Sequence, residues 1–334
     1  MLSECQSPPL QNQTFVNKKT MASVLKLMKS CNCLQPTALP QKGYHPFVID
    51  GVQVGLVRAE FLKYLLQYPD VFQFQSEYVV LNPTLKNYVD RTKKVDAVLR
   101  NLRSQNVVST LSGWRDEDYE VRTSYSSEKL MKMDRSATCI FGICNYGVDI
   151  NGYTNDPEKG LCIWLQKRSL TKQRWPGKWD NMVGGGLSSG YSILDTAFKE
   201  AEEEASIPSE FMLKLKPCGS VSFFFENEQG LFPNTEFVFD LELPSDFVPK
   251  NKDGEVEEFE LFSAQDVLKK AFTPEFKTTS CPVLIDFLIR HGYIRPDDEP
   301  HYPEIVELLH VSLQSMYGKS IDVRSVEKNG ATCN

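Results

Sequence analysis

A chain of 334 residues, 41% hydrophobic and 24% charged, is long enough for two domains with separate cores and has an ordinary globular balance. Its formal net charge of −7 offers no attraction to a polyanion, and no basic stretch with interleaved aromatics occurs, so nucleic acid is excluded as an expected partner. No apolar run approaches the roughly 20 residues that cross a bilayer, and no membrane partner is expected.

In chain order, residues 1–43 are polar, carry Pro8, Pro9, Pro36 and Pro40, and read as a poorly ordered segment. Lys18, Lys19, Lys26 and Lys29 leave organellar import open, although arginine, which transit peptides favour, is absent from this segment. The 9 cysteines are scattered and read as reduced thiols of a cytoplasmic protein, a reading that suits the nucleus as well. Cys31-Asn32-Cys33 lacks the spacer of a zinc or redox pair. Residues 44–134 read as a small mixed α/β accessory domain. Its predicted elements are a strand at Phe47-Val48-Ile49, a turn at Asp50-Gly51, a helix over Ala59 to Gln67, a strand over Val71 to Leu81 and a helix over Val95 to Gln105. Asp116-Glu117-Asp118 reads as a solvated loop.

Residues 135–315 form the second predicted domain. Strands are expected over 137–145, 161–166, 220–226, 236–243 and 256–261, and helices over 192–205, 264–271 and 281–291. Ser263 and Asp266 cap the second of these helices and Gly292 closes the third. Phe223-Phe224-Phe225 reads as sheet packing, with at most one ring free to face a ligand, because neighbours on a strand point to opposite sides. Residues 316–334 are left as a flexible tail. Strands flanked by helices give an α+β chain whose larger part is an α/β/α sandwich around a mixed sheet.

The chemistry is concentrated where Gly184-Gly185-Gly186-Leu187-Ser188-Ser189-Gly190 leads into Lys199-Glu200-Ala201-Glu202-Glu203-Glu204-Ala205. On a helix Glu200, Glu203 and Glu204 share one face at i, i+3 and i+4. Carboxylates that close repel one another unless they share a hard dication. Mg²⁺, with Mn²⁺ as the alternative, prefers such oxygen ligands and joins them to substrate phosphates. A solvated helix face is the competing reading.

This stretch resembles the signature of the Nudix hydrolases: a glycine, five residues, a glutamate, seven residues, then Arg-Glu-apolar-x-Glu-Glu-x-Gly-apolar. Laid on this chain, it runs from Gly185 to Ile207. Tyr191 stands for the first glutamate, Lys199 for the arginine and Ser206 for the last glycine. Lysine keeps the charge of arginine and loses its planar fork. The resemblance implies hydrolysis of a small organic diphosphate, metal held by Glu200, Glu203 and Glu204, and catalytic roles for Glu203 and Glu204. It also implies a general base from the box or from a later loop, where Glu258 is favoured over Glu255 and Glu257. Arg168 and Lys172 become candidate phosphate contacts, Gly185 and Gly186 the loop that meets substrate, and Trp175 a candidate ring contact.

A second resemblance spans about Tyr44 to His310. It is to the Nudix proteins related to thiamine pyrophosphokinase, and is carried by Gly113-Trp114-Arg115-Asp116-Glu117, 146–153, Trp175-Pro176-Gly177-Lys178-Trp179-Asp180-Asn181 and 253–259. It implies that diphosphates of thiamine, or of its oxidised or antagonist forms, are cut to monophosphates, with Trp114 stacking on the ring; no kinase segment is expected after His310. Isopentenyl diphosphate isomerases share the Trp-Pro-Gly-x-Trp-x-Asn loop but need a cysteine just after it, and Met182 to Gly186 has none. A Nudix-like module that binds a diphosphate without cleaving it is the alternative from another class.

Overall fold

The computed structural model describes residues 18–34, 43–75 and 77–321. The chain opens with helix α1 (Lys18–Cys31), then builds a four-stranded sheet from β1 (Tyr44–Ile49), β2 (Val52–Arg58), β3 (Phe72–Gln75) and β4 (Tyr78–Leu81), in the order β2-β1-β4-β3. Asp50 and Gly51 join β1 to β2 with φ of 51° and 77°, the paired left-handed conformation of a tight hairpin turn. Helix α2 (Ala59–Leu65) follows β2, and α3 (Tyr88–Ser104) buries Val95, Val98, Leu99 and Leu102. Asn87 caps α3 by accepting a hydrogen bond from the Asp90 amide at 2.9 Å. A two-stranded ribbon, β5 (Asp118–Val121) and β6 (Met131–Asp134), completes this accessory unit.

The second unit contains β7 (Asn145–Asp156), β8 (Gly160–Arg168), β9 (Trp179–Asn181), β10 (Val183–Gly186), α4 (Ile193–Ala205), α5 (Ser209–Met212), β11 (Lys216–Asn227) and β12 (Gly230–Glu242). It ends with β13 (Val256–Ser263), α6 (Ala264–Ala271), α7 (Cys281–Arg290), α8 (Tyr302–Leu308) and α9 (Leu313–Met316). The sheet runs β11-β12-β7-β8-β13, with β10 added to β7 and β9 to β8; β7 and β12 are parallel, and the sheet is therefore mixed. On one face Val148 and Ile150 meet Ala197 and Ala201 of α4; on the other Tyr153 and Ile163 meet Val267 of α6 and Leu284 and Phe287 of α7. Both faces are thus covered by helices, as the α/β/α expectation requires.

Three expected segments take another form, and β7, the middle strand of the larger sheet, falls where no strand was expected beyond residue 145. Within the segment assigned as poorly ordered, residues 18–31 instead form α1, which buries Val24, Met28 and Cys31, at i, i+4 and i+7, against the α7 and α8 side of the sheet. Residues 1–17 and 35–42 of that segment lie outside the described residues, as do 322–334 of the tail; within 316–321, Ser320 bridges Val52. The single strand expected over Val71–Leu81 is two antiparallel strands, β3 and β4, with Phe72 opposite Leu81 and Gln75 opposite Tyr78. Residues 137–143 are not a strand: Gly142, at φ 51°, folds them so that Ile140, Phe141 and Ile143 plug the accessory core, with Phe141 4.9 Å from Phe47 and 5.5 Å from Phe72 between ring centroids. A short apolar run does not reveal its own conformation.

Candidate active site

Helix α4 starts in a reciprocal cap. Ser192 accepts from the Asp195 amide at 3.1 Å, and Asp195 accepts from the Ser192 amide at 3.3 Å. The helix ends at Ser206, which takes the left-handed cap (φ 51°) in place of the signature's glycine, at a strain of roughly 1–2 kcal/mol. Between these ends the acidic face is held against the glycine strand β10. A Cβ on Gly185 would lie 2.2 Å from Glu200 Cγ, and one on Gly186 would lie 1.5 Å from the Tyr119 hydroxyl, so only glycine permits this approach.

The three signature carboxylates differ in setting. Glu204, only 1% exposed, accepts from the Gly184 amide at 3.0 Å and from Gln166 Nε2 at 3.1 Å. Burial pushes its carboxyl up to about 7, against the pull of the Gly184 N–H and of Lys172. Glu200 and Glu203 face a cleft of about 830 Å³ between the two units, and Lys199 Nζ sits between them, 3.1 Å from Glu200 and 2.9 Å from Glu203. Burial raises the Glu200 carboxyl, while Lys199 lowers it.

The accessory unit forms one wall of this cleft. Glu117 accepts from Ser188 Oγ at 2.5 Å and from Arg135 at 3.1 Å, and Ser189 donates through its amide to the Asp118 carbonyl at 2.8 Å. Arg115, Glu117, Tyr119 and Arg135 therefore all line the cleft. Tyr191, which replaces the first signature glutamate, is 49% exposed and is not among the residues lining it. The opposite wall is the 168–175 loop. Arg168 lines the cleft, yet its guanidinium is bound to Asp180 at 3.0 Å and to the Arg174 carbonyl at 3.1 Å. Lys172 pairs with Glu255; burial pulls its ammonium down to about 8, with Arg168, Arg135 and Arg115 acting in the same direction. Trp175 faces the cleft with its ring 6.3 Å from that of Phe225, the member of the phenylalanine trio that reaches the site.

On the floor, Asp149 and Glu236 lie side by side on the parallel pair β7 and β12. Glu236 covers Gly147, whose Cβ would be 2.1 Å from Glu236 Oε2. Asp149, 6% exposed, accepts from Asn181 Nδ2 at 2.9 Å. Burial, then their mutual repulsion, raises the Asp149 carboxyl; burial also raises that of Glu236, against Lys277. Residue-type reasoning overlooked this pair, although Gly147 and Asp149 both lie in the 146–153 segment that carries the second resemblance.

Three predicted site residues do not line the cleft: Trp114, Glu258 and Glu204, the last buried behind β10 on the Gly184 amide and Gln166. Trp114 is buried in the accessory core, its Nε1 donating to Asp116 at 2.9 Å and its ring covered by the Arg100 guanidinium at 4.7 Å. Glu258 stands opposite Lys167 on the solvent side of β13 and pairs with it at 3.0 Å; of the three loop glutamates, Glu255 lines the cleft. Trp114→Phe is therefore expected to lower stability by about 1 kcal/mol, through the lost hydrogen bond, and to leave KM unchanged. Thermal melts and steady-state kinetics check both.

A family model for the NUDIX domain matches residues 146–280, and one for a domain of unknown function (DUF4743) matches residues 23–145. Nudix hydrolase 20, chloroplastic, of Arabidopsis thaliana is 39% identical over 264 residues, 75% of this chain and 69% of that protein. The chain belongs to the Nudix hydrolases. An uncharacterised protein of Saccharomyces cerevisiae is 33% identical over 289 residues, covering 80% of this chain and 83% of its own length. Among solved structures, DR0079 of Deinococcus radiodurans aligns with a TM-score of 0.40 at 19% identity, over 53% of this chain and 100% of that one.

As a Nudix hydrolase the protein cleaves phosphoric anhydride bonds, and the family generally uses divalent metal ions. Among the described residues no three carboxylates, imidazoles or thiols converge on one point as they stand. The donors nevertheless suit such an ion: Glu200 and Glu203 already share one positive charge, the Lys199 ammonium, and Glu204 lies one turn along the same face.

Proposed function

We propose that the protein is a Mg²⁺-dependent diphosphatase, with Mn²⁺ as the alternative ion, acting on thiamine diphosphate-type compounds, oxidised and antagonist forms included, to give the monophosphate and phosphate. The observation that carries this reading is the composition of the cleft. Its Glu200–Glu203 edge is continuous with a floor of Asp149 and Glu236 beside the rings of Trp175 and Phe225. Aromatic faces attract an organic cation, and paired carboxyl groups accept from ring amines, a combination that suits a cationic, aminated heterocycle. A divalent ion at Glu200, Glu203 and Glu204 would neutralise the diphosphate oxygens and acidify the attacking water.

The chain's own residues do the rest. Gly185 and Gly186 let the backbone approach, the 168–175 loop and the accessory wall enclose the substrate, and Glu255 is placed to take the proton from water. Glu255→Gln is accordingly expected to lower kcat by about tenfold or more. Glu258→Gln, on the solvent side, should stay within about twofold of wild type; steady-state assays of the pair decide which glutamate matters. The seven described cysteines are all free, which supports a cytoplasmic location, and fractionation of cells checks it.

The substrate is tested by a hydrolysis screen with Mg²⁺ over thiamine diphosphate analogues, nucleotide sugars and nucleoside diphosphates. Thiamine-type compounds should lead in kcat/KM by about tenfold or more. A nucleotide sugar in that position overturns the substrate.

A further inference from the structure

Eight cationic side chains line the cleft, and among the described residues six of them are already paired. Lys199 is held by Glu200 and Glu203, Lys172 by Glu255, Lys252 by Glu202, and Arg135 by Glu117. Arg168 and Lys277 both bind Asp180. Arg115 and Arg174 have no ion pair among the described residues. They come from different units and face the same space.

Both backbones are fixed. The Arg115 amide donates to Asp134 at 3.1 Å, and the Arg174 carbonyl accepts from Arg168 at 3.1 Å. The Arg174 guanidinium lies 4.2 Å from the centre of the Phe232 ring, a contact that fixes its plane and supplies no anion. Burial lowers the proton affinity of both guanidiniums, and Arg135 lowers it further in each. Glu117, the carboxylate that offsets this at Arg115, is engaged by Arg135 and Ser188. Positive charge thus collects in a space partly shielded from water, where it is unfavourable until an anion enters. The planar fork of each guanidinium matches two phosphate oxygens.

We propose that Arg115 and Arg174 form a subsite, shared between the two units, for the phosphate groups of the substrate. The accessory unit is then part of the active site, and the phosphate contacts first assigned to Arg168 and Lys172 pass to this pair. The inference rests on the reading of the protein as a diphosphate hydrolase and not on the organic part of the substrate.

The test uses Arg115→Met and Arg174→Met, with Arg→Lys at each site, in the full chain. Two quantities are measured: KM for every diphosphate the wild type hydrolyses, and the calorimetric Kd of inorganic pyrophosphate in the absence of metal. Each Met variant should raise both by roughly ten- to a hundredfold, whatever the organic group, and each Lys variant should recover part of the loss. Unchanged pyrophosphate binding in a folded variant overturns the subsite. A KM increase confined to one organic group overturns it too, since the residues would then be reading the ring. Where a Met variant does not fold, the Lys variant carries the same comparison with a smaller expected shift. Should thiamine-type compounds fail as substrates, pyrophosphate binding still reports on the subsite.

Discussion

Asp180→Ala is expected to destabilise the protein by about 3–5 kcal/mol, because it removes the shared anion from two cations and leaves them uncompensated. Asp180 is 2% exposed and accepts from Arg168 at 3.0 Å and Lys277 at 2.8 Å, with Ser280 as a further donor. It ties the 168–175 wall of the cleft to the segment leading into α7, and its loss should loosen the site along with the fold. Burial opposes ionisation of Asp180, but Lys277 and Arg168 outweigh it and hold the carboxyl well below its ordinary value of 3.8. With the folded pKa depressed, the unfolded chain takes up protons first as the medium is acidified. The stabilisation is therefore complete above the ordinary carboxylate range and is lost as pH falls below about 4. Urea midpoints across that range should fall more steeply for wild type than for Asp180→Asn, whose side chain does not titrate.

Glu203→Gln is expected to lower kcat by roughly a hundredfold or more, since the charge stabilisation that a metal ion supplies is worth several kcal/mol and a neutral amide is a poor ligand. Its fold should survive. The Glu203 side chain is 44% exposed, and its contact with the protein is the surface pair with Lys199, an interaction worth about 0.5 kcal/mol at most. Low activity with an unchanged melting temperature is the expected pattern. Near wild-type turnover of the folded variant at saturating Mg²⁺ would remove Glu203 from the site.

Much of the larger unit was legible in the sequence, because its elements follow strong periodicities with caps at their ends. Helix α6 begins at its Ser263 cap and α4 spans the carboxylate run, both as the pattern predicts. The β3–β4 pair and the plug at 137–143 were not legible, since an apolar run fits a strand, a turn or a buried loop until its neighbours are known. Helix α1 was masked by polar and proline-rich flanks, and its apolar positions acquire meaning only against α7 and α8.

The signature half of the site was legible for a simple reason: Gly185, Gly186, Glu200 and Glu203 meet through contacts close in sequence. The accessory half was not. Gly113-Trp114-Arg115-Asp116-Glu117 marks the correct segment, yet the residue chosen from it, Trp114, points into the accessory core. Arg115, Glu117 and Tyr119 instead line the cleft, with the chain turning at Asp116 (φ 55°) before it enters β5, a bend that residue types alone do not reveal. A similar choice separates Glu255 from Glu258. The register shift between Val256 and Glu258 sets Glu258 across from Lys167, away from the cleft.

The central claim, metal-dependent cleavage of a thiamine-type diphosphate in this cleft, is tested most directly by following the substrate's phosphorus signals by NMR with the purified full chain. With Mg²⁺ or Mn²⁺ the diphosphate signals should give way to those of the monophosphate and inorganic phosphate, and with the ion chelated they should persist. An intact diphosphate after prolonged incubation of folded protein with either ion would contradict the account.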